Sequence, residues 1–323
     1  MSELIIILVN YRRADDTIAC IRSLRQSTYT SFDIVVVDNG SGDGSADRIR
    51  TANPGIRLIE NTQNLGFAEG NNTALKIALH EKYAFALLLN NDTVVEPQTL
   101  AELIAAMRAH PDVGIMGAKI YFFDNPRMLW FTGGILNVHS GAVTHRGIHE
   151  TDEGQYDQPG PCDFVTGCCL LIRRAVLERV GMLDTDYFAY YEDGDFSQRA
   201  RRAGFGVFYM PTARVWHKIS RSTQWDSPFY LYFTLRNRLV FLRKHSTLIA
   251  TLPYIPVLLY FYGRQFIRLL FKRRSFAGVR AAWLAVIDGL RGDTGLLGMG
   301  SMDRLVPLRP HTLPDAINRN GKN

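Results

Sequence analysis

The chain has 323 residues, 46% of them hydrophobic and 21% charged, which excludes a disordered polypeptide and allows one large α/β domain with an appendage or two modest domains. A formal net charge of +6 calls for an anionic partner, whether nucleic acid, an anionic membrane face or a phosphorylated substrate, and the placement of the basic residues decides among them. Cys20, Cys162, Cys168 and Cys169 show no CxxC spacing, the pattern of a reduced cytosolic protein without a zinc site.

The opening "MSELIIILVNYRR" has an apolar stretch too short to cross a bilayer and no basic residue ahead of it, so it is expected to form a first strand and not a signal peptide. The strand-like runs "LIIILV", "DIVVVD", "IRLIE" and "FALLL" alternate with helix-like stretches beginning near Asp15, Ser45, Phe67 and Gln98. This βαβα rhythm predicts a mostly parallel sheet over roughly the first half of the chain. In the first helix Ile18, Ile21 and Leu24 fall on one side and Arg22 and Arg25 on the other, which packs that helix on one sheet face.

"DIVVVDNGSGDGSADRI" ends a strand in Asp38 and Asn39 and then offers Gly40, Gly42 and Gly44. A dinucleotide fingerprint needs its glycines at the strand tip and an acid later on the ribose, whereas here the carboxylate comes first. Asp38 is therefore a candidate acceptor for a base or ribose, and Ser41, Asp43 and Ser45 read as the polar start of a helix. "FALLLNNDTVVEP" ends its apolar run in Asn90, Asn91 and Asp92, at the carboxyl edge where open α/β sheets bind ligands. One carboxylate flanked by amides there suits a cation or a polyhydroxylated ligand; it equally suits a turn into a helix with Pro97 in its first turn.

From about Lys119 to Pro161 the chain becomes aromatic and Gly-rich, reading as short strands and long loops that form a substrate-binding excursion. "CDFVTGCCLLIRRAVLERVG" resumes a strand and a helix stopped by Gly181. In "FAYYEDGDFSQRARRAG" an aromatic strand is expected to meet an acidic cluster, Glu192, Asp193 and Asp195, that opens a basic helix ending at Gly204. Carboxylates at that position are favoured by the helix N-terminus whatever else they do.

The last third is different. "STLIATLPYIPVLLYFYG" is nearly charge-free but interrupted by Pro253 and Pro256, and Arg264, Arg268, Lys272, Arg273 and Arg274 then sit among Phe266, Ile267, Leu269, Leu270 and Phe271. The expectation is a helical region, 246–323, that lies in a membrane interface without crossing it, appended to a domain spanning 1–245. A buried helical hairpin with a solvated basic face has the same composition. Cations clustered beside an apolar stretch explain the net charge without nucleic acid.

Taken in order, "VNYRR", "VVVDNGSGDGS", "NTQNLGFAEGNN", "LLLNNDTVV", "GCCLLIRR", "YFAYYEDGDFSQRARRAG" and "VWH" resemble the family 2 glycosyltransferases, in particular bacterial rhamnosyltransferase-like members, over about residues 4–245. The resemblance implies an α/β, GT-A Rossmann-like mixed sheet, mostly parallel and flanked by helices, with the helical C-terminal region associating with the membrane. It implies inverting transfer of a sugar, rhamnose favoured, from a nucleoside diphosphate donor such as dTDP-rhamnose. The acceptor would be a hydroxyl of a polyprenyl-diphosphate-linked glycan or polysaccharide, met by a peripheral protein at the cytoplasmic face of the cell membrane.

By the same resemblance Asp92 takes the last position of the family's D-x-D motif and His217 its second protein ligand, for Mn²⁺ or Mg²⁺. Asn90 departs from the pattern, which usually has Asp, and an amide is a poorer metal ligand. Read without the family, His217 is a packed or solvated histidine. The "ED" pair matches the catalytic base, with Asp193 preferred to Glu192. On the donor side stand Asn10, Tyr11, Asp38, Asn39, Asn90 and Asn91, with Gly66 and Gly70 letting backbone approach the nucleotide sugar and Asn71 bonding it. Arg236 and Asn237 of "YLYFTLRNRL" are acceptor-side or structural, and Arg199, Arg202 and Arg221 are phosphate candidates that would otherwise be simply solvated. Two rivals remain: a NAD-binding oxidoreductase using the Gly40–Gly44 turn, and an inactive membrane scaffold with Asn90 as its first lesion.

Overall fold

The structure, a computed structural model, describes residues 2–219 and 227–294; Arg221 lies outside the described residues. The first half alternates as expected: β1 (Leu4–Asn10), α1 (Ala14–Leu24), β2 (Phe32–Asp38), α2 (Ser45–Ala52), β3 (Arg57–Glu60), α3 (Gly66–His80), β4 (Phe85–Asn90), the short β5 (Thr93–Val95) and α4 (Thr99–Ala109). There follow β6 (Val113–Phe122), β7 (Asn125–Phe131), β8 (Gly134–Asn137), β9 (Ala142–His145), β10 (Gly160–Pro161), β11 (Cys169–Arg173), α5 (Arg174–Val180), α6 (Glu192–Arg202) and β12 (Gly206–His217). The chain then turns helical with α7 (Pro228–His245), α8 (Leu248–Thr251), α9 (Ile255–Ile267) and α10 (Phe276–Arg291).

The main sheet runs β10-β12-β6-β11-β4-β1-β2-β3, with β5 on β12 and β7 on β6, while β8 and β9 form a separate hairpin. β3, β2, β1 and β4 are mutually parallel. The continuous runs Leu4–Leu8 and Val35–Val37 are buried because helices cover both sheet faces, which is why they do not alternate with polar residues. One face packs Ile6, Leu8 and Leu87 of the sheet under α1 and α4, through Ile21, Leu24, Leu103 and Met107. The other packs Ile5, Ile7 and Leu88 under α3, α5 and α6, through Leu75, Val176 and Phe196. β12 alternates buried and less buried residues along most of its length, as a strand with one wetted face does.

Within the path β12-β6-β11-β4-β1-β2-β3, β11 alone runs antiparallel to its neighbours. It enters antiparallel between β4 and β6, so its first residues lie beside the last residues of β4: Cys169 pairs with Leu89, and the Asn90 N–H donates to the Cys168 carbonyl at 2.9 Å. At the far side His217, at the end of β12, pairs with Thr93.

Three expectations are corrected. The aromatic segment before the acidic cluster is not a strand: Phe188, Tyr190 and Tyr191 have φ of 61°, 67° and 75°, a left-handed turn that an extended strand cannot contain. The excursion does not open at Lys119, because β6 starts at Val113 and pairs in parallel with β12, its Gly114 and Gly117 admitting the Val176 and Val165 side chains. Pro97 stands ahead of α4, its carbonyl accepting the Thr28 N–H at 2.9 Å.

The boundary drawn at 245/246 also falls inside a packed unit. α7 starts on Pro228 behind a Ser227 cap, and it packs on α10, so that Leu231, Tyr232, Phe233 and Leu235 share a core with Leu269, Ala281, Ala282 and Ala285 and with Phe188 of the turn. Small residues line the seam: a Cβ on Gly289 would lie 2.8 Å from Leu239. Ala285→Leu should therefore overpack the seam and cost about 1–3 kcal/mol, read as a lower midpoint in denaturant unfolding; an unchanged midpoint would mean the two helices separate freely.

Candidate active site

The carboxyl ends of β1, β2 and β4 are joined by a polar network. The Asn10 amide donates to Asp38 at 2.6 Å, and Asp38 also accepts the Ser41 hydroxyl at 2.6 Å and the Ser41 N–H at 3.1 Å. The Asn91 amide donates to Thr17 at 2.8 Å, whose hydroxyl donates to Asn10 at 2.9 Å. Asp38 thus fixes the turn after β2, and Asn10 and Asn91 hold the neighbouring strand ends at one level. Tyr11 stands at the rim, half-buried, with the Arg12 guanidinium 5.1 Å from its ring centroid.

The donor loop is arranged differently from the expectation. Gly66, at φ +81°, is approached by the Phe188 backbone and ring, since a Cβ there would lie 2.5 Å from the Phe188 carbonyl oxygen. That carbonyl accepts the Phe67 N–H at 2.6 Å at the start of α3. Gly70 admits the Asn39 amide, which bonds the Gly66 carbonyl at 2.9 Å, and Asn71 is buried and donates to the Phe67 carbonyl at 2.8 Å. These residues bind the loop to the rest of the protein, so glycine serves chain-to-chain approach there. At Gly40 the chain is likewise packed on protein, since a Cβ would lie 2.3 Å from the Gln63 carbonyl carbon, whereas Gly42 and Gly44 of the same turn face open space.

Asp92, just before β5, and His217, at the end of β12, come together where those strands pair. The His217 Nε2 lies 3.0 Å from an Asp92 carboxylate oxygen and 3.3 Å from the Asn90 amide nitrogen, and the Asp92 and His217 side chains are both buried. Adjacent donors around an octahedral Mg²⁺ at about 2.1 Å are about 3 Å apart, so an oxygen and an imidazole nitrogen at this separation fit two neighbouring corners of such a site. Among the described residues no third histidine, cysteine or carboxylate completes a metal cluster. A divalent ion held here would keep corners for water and diphosphate oxygens, as small hard cations do. Trp130 closes one side, its ring 4.8 Å from His217 and 4.6 Å from His145, both edge to face. Burial pulls His145 down to about 4, so a neutral imidazole backs the wall.

Asp193 stands on the same edge. Its carboxylate accepts the Gly167 N–H at 3.0 Å and the Gly194 N–H at 2.7 Å. Gly167 precedes Cys168, whose carbonyl bonds Asn90, and the Cys168 thiol is pushed well up by burial and by both Asp92 and Asp193. Burial raises the Asp193 carboxyl while its two N–H donors hold it back, and burial raises Glu192 further, with the Asp193 charge adding to it. One Glu192 oxygen is buried without a hydrogen-bond partner, which fits a protonated Glu192 beside an ionised Asp193. The arrangement offers one activated carboxylate as a proton acceptor.

The remaining candidates lie elsewhere. Asp195 is held by Arg199 and His245, each at 2.7 Å, and those partners outweigh burial to keep its carboxyl low. Arg199 also bonds the Val180 and Met182 carbonyls and Arg202 the His245 carbonyl, so neither is aimed at a phosphate in the cleft. Arg236 and Asn237 are fully buried beneath the turn at 188–191 and are not on an acceptor surface. Sequence reasoning missed Trp130 and the Gly167 donor. Gly167 had a signal, a glycine two residues before a strand: a Cβ there would meet the Phe67 ring at 2.9 Å.

With this geometry in view, residues 5–181 match Glycosyl transferase family 2. A low-salt glycan biosynthesis hexosyltransferase of Haloferax volcanii is 26% identical over 304 residues, covering 91% of this chain and 93% of its own. The N-acetylglucosaminyl-diphospho-decaprenol L-rhamnosyltransferase of Mycobacterium tuberculosis is 26% identical over 259 residues, covering 75% of this chain and 84% of its own. Among solved structures, the mannosyltransferase PcManGT of Pyrobaculum calidifontis in complex with GDP-Man and Mn²⁺ superposes with a TM-score of 0.54 at 16% identity, over 94% of this chain and 81% of its own. Staphylococcus aureus TarS in complex with UDP-GlcNAc gives 0.54 at 17% identity, over 91% and 83%. These likenesses show the GT-A fold. The match over more than half of the chain gives the family plainly: this protein is a glycosyltransferase belonging to Glycosyl transferase family 2.

Proposed function

We propose that the chain is an inverting, metal-assisted glycosyltransferase in cell-surface glycan synthesis that moves rhamnose from dTDP-rhamnose to a hydroxyl of a polyprenyl-diphosphate-linked glycan. The observation that carries the chemistry is the meeting of Asp92, His217 and Asp193 along one sheet edge, through Asn90, Cys168 and Gly167. The sugar and the lipid-linked acceptor draw support from relatives named as a decaprenol-linked L-rhamnosyltransferase and, at 23% identity over 270 residues, a dTDP-rhamnosyl transferase of Shigella flexneri.

In this reading Asp193 accepts the proton of the acceptor hydroxyl as that oxygen bonds the anomeric carbon, and the bond from that carbon to the diphosphate breaks with the electron pair leaving on the diphosphate. Hydrolysis of a glycoside uses two carboxylates at the sugar; here one base suffices. Asp92 and His217 would hold Mn²⁺ or Mg²⁺, which when bound neutralises charge on the departing diphosphate. Asn10, Tyr11, Asp38, Asn39, Asn71, Asn90 and Asn91 shape the donor side, mostly by holding strand ends and the α3 loop in place.

The membrane enters through α8, α9 and α10. Ile249, Phe271 and Phe276 are 81%, 75% and 84% exposed, with Leu248, Leu259, Tyr260, Trp283 and Leu290 also in solvent. Arg264, Lys272, Arg273, Arg274 and Arg280 share these helices and their joints. Among the described residues no helix is long and apolar enough to cross a membrane. An apolar face with basic neighbours suits binding in the plane of an anionic bilayer, at about 1 kcal/mol per cation near the surface.

Asp193→Asn should lower turnover at least about a hundredfold while donor binding persists. Because burial raises the Asp193 carboxyl and only its ionised form accepts a proton, wild-type transfer should fade as pH drops through a value above the usual carboxylate range; a rate flat down to ordinary carboxylate pH would contradict it. His217→Ala should weaken Mn²⁺ binding about tenfold or more by electron paramagnetic resonance, and unaltered binding would remove this pair as the metal site. The triple change Ile249→Glu, Phe271→Glu, Phe276→Glu touches only exposed positions and should abolish flotation with anionic liposomes; undiminished flotation would exclude this face.

A further inference from the structure

The segment that delivers Asp193 to the sheet edge is held by an unusual set of bonds. Phe188, Tyr190 and Tyr191 all sit at positive φ, a backbone region that residues with bulky side chains rarely adopt, and Tyr191 directly precedes α6, whose first residues are Glu192 and Asp193. Such a run persists only where its surroundings determine it.

The surroundings are α7. The Asn237 side-chain amide nitrogen lies 2.9, 2.8 and 2.7 Å from the carbonyls of Tyr187, Ala189 and Tyr190, so one NH₂ group, with one of its two N–H groups shared, gathers three carbonyls of the turn. The orientation of that amide is itself fixed, because the Arg236 Nε–H donates to the Asn237 oxygen at 2.9 Å, and a flipped amide would set donor against donor and oxygen against three oxygens. Arg236 adds bonds to the Asp186 and Tyr187 carbonyls at 2.9 and 3.0 Å, with its guanidinium 4.9 Å from the Phe233 ring centroid. Both side chains are fully buried, and neither touches the cleft. At the edges of the turn the Phe188 carbonyl takes the Phe67 N–H of the donor-side loop, and the Tyr191 hydroxyl donates to the Gly141 carbonyl at 2.8 Å.

We propose that Asn237, oriented by Arg236, is the positioning residue of the catalytic base: it holds the left-handed turn 188–191 in the one shape that places the Asp193 carboxylate on the Gly167 and Gly194 N–H groups. The inference rests on the reading of Asp193 as that base. It predicts that loosening the turn misplaces Asp193 while leaving the pair of Asp92, just before β5, and His217, at the end of β12, which the turn does not carry.

The experiment compares Asn237→Ala, Asn237→Ser, which retains one donor, and Asn237→Ala combined with Tyr190→Gly, since glycine adopts positive φ unaided. For each, transfer turnover is measured with the wild-type donor and acceptor, Mn²⁺ binding in the presence of dTDP is measured by paramagnetic resonance, and folding is followed by circular dichroism. The expected result is turnover lowered on the order of tenfold to a hundredfold in Asn237→Ala, a smaller loss in Asn237→Ser, Mn²⁺ binding within about twofold of wild type, and partial recovery with Tyr190→Gly. Unchanged turnover in Asn237→Ala would overturn the proposal. So would parallel loss of turnover and Mn²⁺ binding without recovery by glycine, or failure of both single variants to fold, because each marks a general structural role. Asp193→Asn is run alongside: if it still transfers sugar, the base assignment fails whatever Asn237 does, whereas an inactive Asp193→Asn with a fully active Asn237→Ala sinks only this inference.

Discussion

The site depends on one reversal of strand direction. In a purely parallel sheet every strand would exit at the cleft and every loop from the cleft would lead into a helix. β11 instead runs antiparallel between β4 and β6, so Cys168, just ahead of it, accepts the backbone N–H of Asn90 at the end of β4. That pairing sets Gly167 where its N–H reaches Asp193, and β12 returning beside β5 sets His217 against Asp92. Elements from three parts of the chain are thereby fixed to one edge by sheet hydrogen bonds, which leave little freedom for their relative position.

Around that edge the side chains divide between those with open chemistry and those that hold the frame. Asn10, Asp38, Asn39 and Asn71 are buried and bond mainly to other protein groups, as their burial requires, and the half-buried Asn91 bonds Thr17. Asp193 is raised by burial yet stabilised by two N–H donors, a balance that keeps a carboxylate basic without neutralising it. Glu192, one residue away, has an unpartnered buried oxygen and is raised further. The two adjacent acids are thus driven apart in basicity by surroundings and not by identity.

The parallel half of the fold was legible because unbroken Val, Ile and Leu runs of five or so residues, spaced by helical stretches, suit only strands covered on both faces, and the strand-end triplet followed from where those runs stop. The antiparallel β11 was not legible, since "CCLLIR" has the same apolar content in either direction. The left-handed turn was hidden for a related reason: "FAYY" has strand propensity, and what overrides it is a set of bonds from Asn237, some fifty residues away in sequence. Gly66 and Gly70 in "NLGFAEG" mark close approaches, as Gly40 does in "DNGSGDG" while Gly42 and Gly44 meet nothing, but a glycine does not say whether the approaching group is a ligand or the chain itself, and at Gly40 and Gly66 it is the chain. The exposed apolar face of α8 to α10 was legible as composition, while the packing of α10 on α7 needed the tertiary structure.

The central claim is a single displacement served by one carboxylate, and the anomeric configuration of the product tests it most directly. Nuclear magnetic resonance of the newly formed linkage, compared with the donor's own anomeric centre, should show inversion. Retention of configuration would require a second displacement or a front-face route that a lone Asp193 does not provide, and would contradict this account.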